Sequence, residues 1–266
     1  MIYTLYTDFP VAPTLVIPSA LQAVFLWITI VLAVGVLIAG LMVSLKQRSA
    51  VPFLMVIGGF AAILLEPVVT FLGHAVHPKN GQIMLFETVG RAIPWHIALG
   101  YMGGFGIFYL LIYSKYVGGT LTAESIWKMS LVTALCFYAG EAYPVEHGLW
   151  AYYDFQPLWI WKGTAPPPWS VLNATCMLTS ATLMLLSAPY LRGLAQLLLV
   201  PMAVSGAFMG HMGAGFPMYN AMNAAVPRWV IELSGVLSVC MALVLVWICT
   251  LLLTRRLPRL AASAQG

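Results

Sequence analysis

Long apolar runs, separated by short polar segments, recur along the whole chain. A helix needs about 20 apolar residues to cross the ~30 Å hydrocarbon core of a bilayer. The runs predict seven transmembrane helices, at residues 19–44, 51–75, 93–114, 127–147, 169–190, 193–215 and 229–253. No stretch between them could form a soluble domain. The sequence therefore predicts an all-α integral-membrane protein, a seven transmembrane helix bundle that forms one domain over residues 1–266.

The composition supports a membrane protein. Of the 266 residues, 61% are hydrophobic and 8% are charged, whereas soluble domains carry about 25% charged residues. The net charge of +4 is small and lies mainly in the predicted loops. It therefore reports topology and does not indicate a nucleic-acid partner.

Basic residues are distributed unequally between the two sides of the predicted bundle. One side carries eight: Lys46, Arg48, Lys115, Lys128, Arg192, Arg255, Arg256 and Arg259. The other side carries four: Lys79, Arg91, Lys162 and Arg228. Because Lys and Arg concentrate in cytoplasmic loops, the N-terminus is predicted outside and the C-terminus in the cytoplasm. A bacterial inner membrane, or an equivalent one, fits this pattern.

Acidic residues collect in the half of the bundle that is predicted to face outward. Six of the eight lie there: Glu66, Glu87, Glu141, Glu146, Asp154 and Glu232. The cytoplasmic half is almost entirely Leu, Val, Met and Ala. This asymmetry predicts a pocket on the extracytoplasmic side. The aromatic loop over residues 148–168 covers that side, either as an interfacial belt or as a lid.

Three carboxyls lie inside apolar runs. Burying a carboxyl in a membrane costs several kcal/mol, so such a residue is expected to have a function. Glu66 precedes Pro67, which is expected to kink the helix. A desolvated carboxyl there is expected to hold a proton and to act as an acid. Glu141 lies among tyrosines and suits proton relay. Glu232 either assists the chemistry or pairs with Arg228 at i, i+4.

The histidines raise the question of a metal site. Helical spacing places Glu66, His74 and His77 near one stripe of the second helix, and His96 and His211 approach from other helices. Such a set could hold zinc or non-haem iron. The dense HxxxH and HxxHH motifs of membrane di-iron oxygenases are absent. A metal site at His74, His77, His96 and His211 therefore remains the alternative to hydrogen-bonding histidines.

Other polar and aromatic residues at the outer ends of the helices are candidates for binding a substrate. They are Trp95, His96, Tyr101, Tyr138, Tyr143, Trp169, Asn173, His211 and Trp229. Glycines crowd the third and sixth predicted helices, at Gly100, Gly103, Gly104, Gly106, Gly206, Gly210, Gly213 and Gly215. Such glycines usually permit close helix packing. There is no GxSxG, P-loop or DDxxD motif, and no lysine in the last helix for a retinal Schiff base.

The architecture, with a glutamate deep in helix 2 and an acid early in helix 7, resembles the small seven-helix integral-membrane terpene cyclases of fungal meroterpenoid and bacterial prenyl-indole pathways. In that family the two acids are thought to protonate an olefin or epoxide of a prenyl chain. The resemblance implies these roles for Glu66 and Glu232, although the family typically has Asp at the second position. It also implies catalysis without a cofactor, on a hydrophobic isoprenoid substrate that enters from the bilayer.

The predicted function is therefore acid-initiated cyclisation of an isoprenoid, with Glu66 as proton donor and Glu232 and Glu141 as assisting carboxyls. Acid-driven double-bond isomerisation, as in sterol isomerases, shares this mechanism. A metal-dependent lipid or carotenoid oxygenase and a non-catalytic lipid- or pigment-binding membrane protein are the alternatives.

Overall fold

The computed structural model describes residues 10–255, so Arg256 and Arg259 of the topology argument lie outside the described residues. Six helical segments in this range are long and apolar enough to cross a membrane, which supports an all-α, multi-pass membrane protein. They are Ser19–Gln47, Val51–Leu72, Trp95–Val117, Pro167–Tyr190, Gly193–Met222 and Arg228–Arg255.

The α-helices and strands of residues 10–255 are numbered in chain order. The helices are α1 Ser19–Gln47, α2 Val51–Ala61, α3 Glu66–Leu72, α4 Trp95–Val117, α5 Ala123–Gly140, α6 Ala142–Glu146, α7 Pro167–Ser187, α8 Leu199–Phe208, α9 Ala214–Met222 and α10 Arg228–Arg255. The strands are β1 Ala75–Val76, β2 Met84–Thr88, β3 Arg91–Pro94 and β4 Ala151–Tyr152.

The fourth predicted span, 127–147, is not one continuous helix. Helix α5 begins after a capping box, in which Thr122 Oγ1 accepts from the Ser125 N–H at 3.1 Å. It ends at Gly140, and the short helix α6 follows. Helix α5, which has 18 residues, carries Glu124 and Lys128 in its first turns and is not among the six apolar segments.

The second predicted helix is interrupted beside its glutamate. A 3₁₀ turn at Ala62–Leu65 separates α2 from α3, whose first residues are Glu66 and Pro67. Proline lacks an N–H and its ring clashes with the carbonyl four residues earlier, which disrupts regular α-helix geometry at this point. Helix α3 then ends at Leu72, and His74 has a left-handed φ of 50°. The predicted stripe from Glu66 through His74 to His77 is therefore wrong, because the helix ends before either histidine.

Two small antiparallel sheets cover one end of the bundle. Strand β2 pairs with β3 in a hairpin directly before α4. Strand β1 pairs with β4, with Ala75 opposite Tyr152 and Val76 opposite Ala151. The second pairing joins the chain just after α3 to the long loop at 148–168.

Helix α7 forms the centre of the bundle and is buried along most of its length. It packs closely on α8 at Gly206, where an added Cβ would lie 2.5 Å from Ser180 Cα. At Gly210, in a π-helical turn at Met209–Gly213, an added Cβ would lie 2.6 Å from Cys176 Cα. These contacts confirm the predicted packing role for Gly206 and Gly210. Gly213 has no atom within 4 Å of such a Cβ, so its predicted packing role is wrong.

Candidate functional site

A cavity of about 260 Å³ lies between α1, α3, α4, α5 and α7, beneath the loop at 148–168. Most of its wall is apolar and aromatic. The polar side chains that line it are Thr29, Glu66, Thr70, His77, His96, Tyr101, Glu141, Tyr152 and Asn173. Helical bundles commonly build ligand sites in this way, with a few polar groups in an apolar chamber.

Glu66 is buried in the wall of this cavity and has two side-chain partners. Its Oε1 lies 2.7 Å from His77 Nε2, and its Oε2 accepts a hydrogen bond from the Tyr101 hydroxyl at 2.5 Å. The Thr70 hydroxyl bonds the backbone oxygen of Glu66 at 2.7 Å and does not contact the carboxyl group. The sequence predicts a desolvated carboxyl at Glu66, and the structure gives this buried carboxyl two partners. It shares a proton position with an imidazole.

The partnership of His77 with Glu66 could not be read from helical spacing. His77 lies beyond the end of α3, and the left-handed turn at His74 brings the chain back over the cavity. Its Nδ1 is buried and has no hydrogen-bond partner. The imidazole is therefore bonded to the carboxyl on one side and still has a free nitrogen.

Glu141 lies in the same cavity, at the end of α5. Its Oε2 accepts hydrogen bonds from the Tyr152 hydroxyl at 2.6 Å and from Trp150 Nε1 at 3.2 Å. The sequence predicts phenol neighbours for Glu141, but it suggests Tyr138 and Tyr143. The phenol that binds is Tyr152 of the loop, which the pairing of β1 with β4 holds in place. These two donors hold the Glu141 carboxyl in place in the cavity wall.

His96 is a polar residue of the cavity whose buried ring nitrogens have no hydrogen-bond partner. Its side chain is 2% exposed, and neither ring nitrogen has a hydrogen-bond partner. Buried polar groups are rarely left unpaired, since each costs about 1–3 kcal/mol. Both nitrogens are themselves buried, so a polar partner could reach them only if the cavity wall shifts.

Four of the nine predicted substrate-binding residues line this cavity: His96, Tyr101, Trp169 and Asn173. The other five do not. Trp95, Tyr143 and Trp229 point outward and are exposed. The backbone oxygen of Tyr138 accepts a hydrogen bond from Thr164. His211 is buried behind Trp169 and bonds the Tyr219 hydroxyl at 2.9 Å.

Glu232 is not in the cavity wall. Its Oε2 accepts a hydrogen bond from the backbone N–H of Leu158 at 2.7 Å, and Arg228 Nε lies 4.0 Å from Oε1. Leu158 has a φ of 57°, so this carboxyl holds a tight turn of the loop. The structure places the predicted second acid in a role that anchors the loop.

The four predicted metal-binding histidines do not converge on one point, although His77 and His96 line the same cavity. His74 Nε2 lies 3.2 Å from Asn223 Oδ1, whereas His77 bonds Glu66 and His211 bonds Tyr219. Within residues 10–255, no three His, Cys, Asp or Glu side chains come close enough to hold a metal ion. The arrangement of these residues gives no support to the oxygenase alternative.

The loop at 148–168 closes the cavity through buried polar contacts. Gln156 is 2% exposed, and its Nε2 donates to the backbone oxygen of Gly73 at 2.9 Å. Its Oε1 accepts from Trp169 Nε1 at 3.4 Å. Gly73 lies directly against Trp169, since an added Cβ would be 2.2 Å from Cζ2 of that ring. The loop therefore packs as a lid, although part of it also carries exposed aromatics such as Trp161.

A second contact of the loop predicts a pH dependence. His74 lies after α3, and its Nδ1 is 3.2 Å from Asp154 Oδ2. Asn223 Nδ2 donates to Leu72 and Tyr219 backbone oxygens, so its Oδ1 faces His74 Nε2, which must carry the proton. Burial lowers the pKa of His74, against the opposing effects of Asn223 and Asp154.

The folded protein binds the second proton, which charges the His74 ring, less readily than the unfolded chain does. The neutral His74 therefore stabilises the fold above its unfolded pKa of about 6.5. We expect this contribution to be lost as the pH falls below that value, with a slope of at most about 1.4 kcal/mol per pH unit. Thermal unfolding of His74→Gln between pH 7.5 and 5 should show a shallower loss of stability than the wild type. His147→Gln, at an exposed histidine, is the control. Parallel curves for His74→Gln and wild type would contradict this assignment.

Comparison with known proteins found no relative, since no family model, curated protein or solved structure matches this chain. Functional inference therefore depends on the cavity itself.

Proposed function

We propose that this protein is a membrane-embedded enzyme that protonates an olefin or epoxide of an isoprenoid chain and so starts its cyclisation. One observation carries the proposal. A single, largely apolar cavity holds two carboxyl groups, Glu66 and Glu141, each with its own hydrogen-bond partners. Chemistry that moves a proton into and out of a hydrocarbon needs such a pair, one group as donor and one as acceptor.

The proton source is the Glu66–His77 pair. Its short contact of 2.7 Å holds one proton between a carboxyl and an imidazole, and the Tyr101 hydroxyl fixes the second carboxyl oxygen. Burial removes competing water, so a proton leaving the pair reaches the substrate. Protonation of a terminal olefin forms a C–H bond and a tertiary cation. Protonation of an epoxide oxygen breaks a C–O bond and leaves the cation and a hydroxyl group.

The cavity wall suits the cation that follows. Aromatic faces attract a cation by up to about 2 kcal/mol or more when water is excluded. Besides its tyrosines, the cavity is lined by five aromatic residues: Phe25, Phe105, Phe137, Trp150 and Trp169. An internal double bond of the substrate attacks the cation and closes the ring. Loss of a proton from a carbon next to the new cation to the Glu141 carboxylate restores a double bond, so the product is an isomer of the substrate.

His96 fits an oxygen function on the substrate. After a small shift of the cavity wall, one of its two unpaired, buried ring nitrogens would bond a hydroxyl or epoxide oxygen. A pure hydrocarbon would leave this buried imidazole unpaired, at a cost of about 1–3 kcal/mol. An oxygenated prenyl chain is therefore the substrate class that we propose.

For the membrane topology, we propose that α5 crosses the bilayer together with the six apolar segments. Seven crossings place the N-terminus outside and the C-terminus in the cytoplasm, according to the distribution of basic residues. The cavity and its loop then face the extracytoplasmic side. The amphipathic start of α5, with Glu124 and Lys128 paired at 2.6 Å, would lie at the cytoplasmic interface.

Deuterium incorporation tests the proposed chemistry. Purified protein in D₂O is incubated with prenyl alcohols that carry either a terminal olefin or a terminal epoxide, and products are analysed by mass spectrometry. Olefin protonation places one deuterium on carbon, whereas epoxide opening places it only on an exchangeable hydroxyl. In either case we expect a cyclic isomer of the substrate, after correction for deuterium.

A boiled sample and Glu66→Gln are the controls for this experiment. Recovery of unchanged chains that remain bound to the protein, without any isomer, would overturn the enzymatic proposal and favour a lipid-binding protein. A product that exceeds the substrate by one oxygen atom alone, and not by a whole water molecule, would instead require oxidative chemistry and would contradict the proposed mechanism.

A further inference from the structure

A second cavity, of about 530 Å³, lies between α4 and α5. Its walls are formed by one face of each helix, and Met177 of α7 closes its base. The principal lining residues are Gly104, Phe108, Leu111, Met129, Val132 and Met177. We call this cavity the α4–α5 groove. Its outer edges are exposed hydrophobic residues, Ile107 on α4 and Val132 on α5, so the groove opens toward the bilayer.

The α4–α5 groove adjoins the cavity that holds Glu66. Cys136 and Phe137 line both spaces. Along α4 the two together extend from His96 to Leu111, a separation of 15 residues or about 22 Å at ~1.5 Å per residue. An extended chain can therefore lie with one end beside Glu66 and the remainder between α4 and α5.

The lining of the α4–α5 groove is selective for a hydrocarbon. Its ionisable groups are Cys136 and, at the end remote from Glu66, Lys128. The Lys128 ammonium pairs with Glu124 at 2.6 Å, so its alkyl stem faces the groove while the charge stays at the surface. Methionine and phenylalanine side chains form much of the wall and adapt well to an irregular, branched chain.

We propose that the α4–α5 groove binds the hydrocarbon tail of the isoprenoid substrate and is its route of entry from the bilayer. The proposal rests on the proposed function, because it takes the reacting end of that chain to lie beside Glu66 and His77. The tail would enter sideways between α4 and α5. The loop at 148–168 need not open for it.

Cys136, at the junction of the two cavities, reports occupancy directly. Of the four cysteines, Cys176 and Cys249 are buried and Cys240 is exposed on α10. In a Cys240→Ser background, N-ethylmaleimide should therefore alkylate Cys136 selectively. Geranylgeraniol is the probe, and the unbranched saturated alcohol with the same number of carbons is its control. At about ten times its Kd, a bound probe leaves roughly one site in ten free, so alkylation should slow about tenfold.

Glycine variants locate the bound chain. Gly104→Phe would fill the α4–α5 groove, and a Cβ at this position has Met177 Cε, at 4.0 Å, as its nearest neighbour. We expect it to abolish protection by geranylgeraniol. Gly35→Phe is the matched control, because Gly35 is an exposed glycine of α1 with nothing within 4 Å of an added Cβ. The phenylalanine of Gly104→Phe could itself shield the Cys136 thiol. Leu111→Trp, which fills the groove further from Cys136, tests the groove in that case.

The outcomes separate this inference from the proposed function. Equal protection by the unbranched alcohol would identify the α4–α5 groove as an ordinary lipid site and overturn the proposal. Protection that survives both Gly104→Phe and Leu111→Trp would place the chain elsewhere and also overturn it. In Glu66→Gln, protection should persist while turnover is lost. Protection without turnover in the wild type would support the tail site while contradicting the enzymatic function.

Discussion

Replacement of Glu66 by glutamine is expected to lower kcat for isomer formation by about 10²–10⁴-fold, the range for loss of a positioned general acid. Glutamine keeps the size of the side chain and can still bond Tyr101 and His77, but it cannot release a proton. The KM for the prenyl substrate should change little, because the cavity keeps its shape. Initial rates of product formation over a range of substrate concentrations separate the two effects.

The comparison with Glu232→Gln sharpens this prediction. Glu232 lies outside the cavity and bonds the Leu158 N–H, so its replacement should reduce kcat by less than about tenfold. Glutamine can preserve that bond through its amide oxygen. Full activity of Glu66→Gln, or an equally large loss in Glu232→Gln, would contradict the assignment of Glu66 as the acid and restore the role that the family resemblance gives to Glu232.

The substitution Gly206→Ala is expected to lower the free energy of unfolding by about 1–3 kcal/mol, as overpacking of a close-packed interior does. The new methyl group would lie 2.5 Å from Ser180 Cα and 2.9 Å from Ser180 N. Backbone atoms cannot rotate away, so α7 and α8 must separate. Separation also weakens the hydrogen bonds from Thr179 Oγ1 to the Gly206 oxygen, 2.7 Å, and from Ser180 Oγ to the Ala203 oxygen, 2.5 Å.

Gly213→Ala provides the control for the effect of the methyl group itself. Gly213 lies in the same apolar segment, Gly193–Met222, and has no atom within 4 Å of an added Cβ. Thermal unfolding in detergent should therefore show a lowered midpoint for Gly206→Ala and a nearly unchanged one for Gly213→Ala. Similar midpoints for the two variants would mean that α7 and α8 do not pack as closely as described.

The hydrophobic pattern predicted most of the transmembrane helices because bilayer thickness sets a strict requirement for length and polarity. It failed where local geometry depends on few residues. The end of α3 at Leu72 and the end of α5 at Gly140 are both followed by further residues that a helix could accommodate. In these places tertiary contacts decide the boundary, and the pairing of β1 with β4 is one of them.

The candidate site was predictable only in part, for a similar reason. Glu66 and Glu141 stand out because a carboxyl in an apolar run is costly, and both line the cavity. The partner of each comes from outside its helix: His77 follows a left-handed turn, and Tyr152 lies in the loop. Glu232 satisfies the same sequence criterion as Glu66, yet it serves the loop. Spacing along the sequence cannot distinguish a carboxyl that lines the cavity from one that bonds the loop.

The short pairing of β1 with β4 links access to the cavity with the contact between Glu66 and His77, the proposed proton donor. Ala75 is bound to Tyr152 of the loop, and His77 follows only two residues later. Any outward swing of the loop would pull on this segment and draw the imidazole away from Glu66, while removing the Tyr152 hydroxyl from Glu141. Opening of the loop would thus separate both carboxyls from these hydrogen-bond partners at once. In the proposed mechanism, solvent that enters past the opened loop would meet no assembled acid, and a cation would form only while the loop is closed.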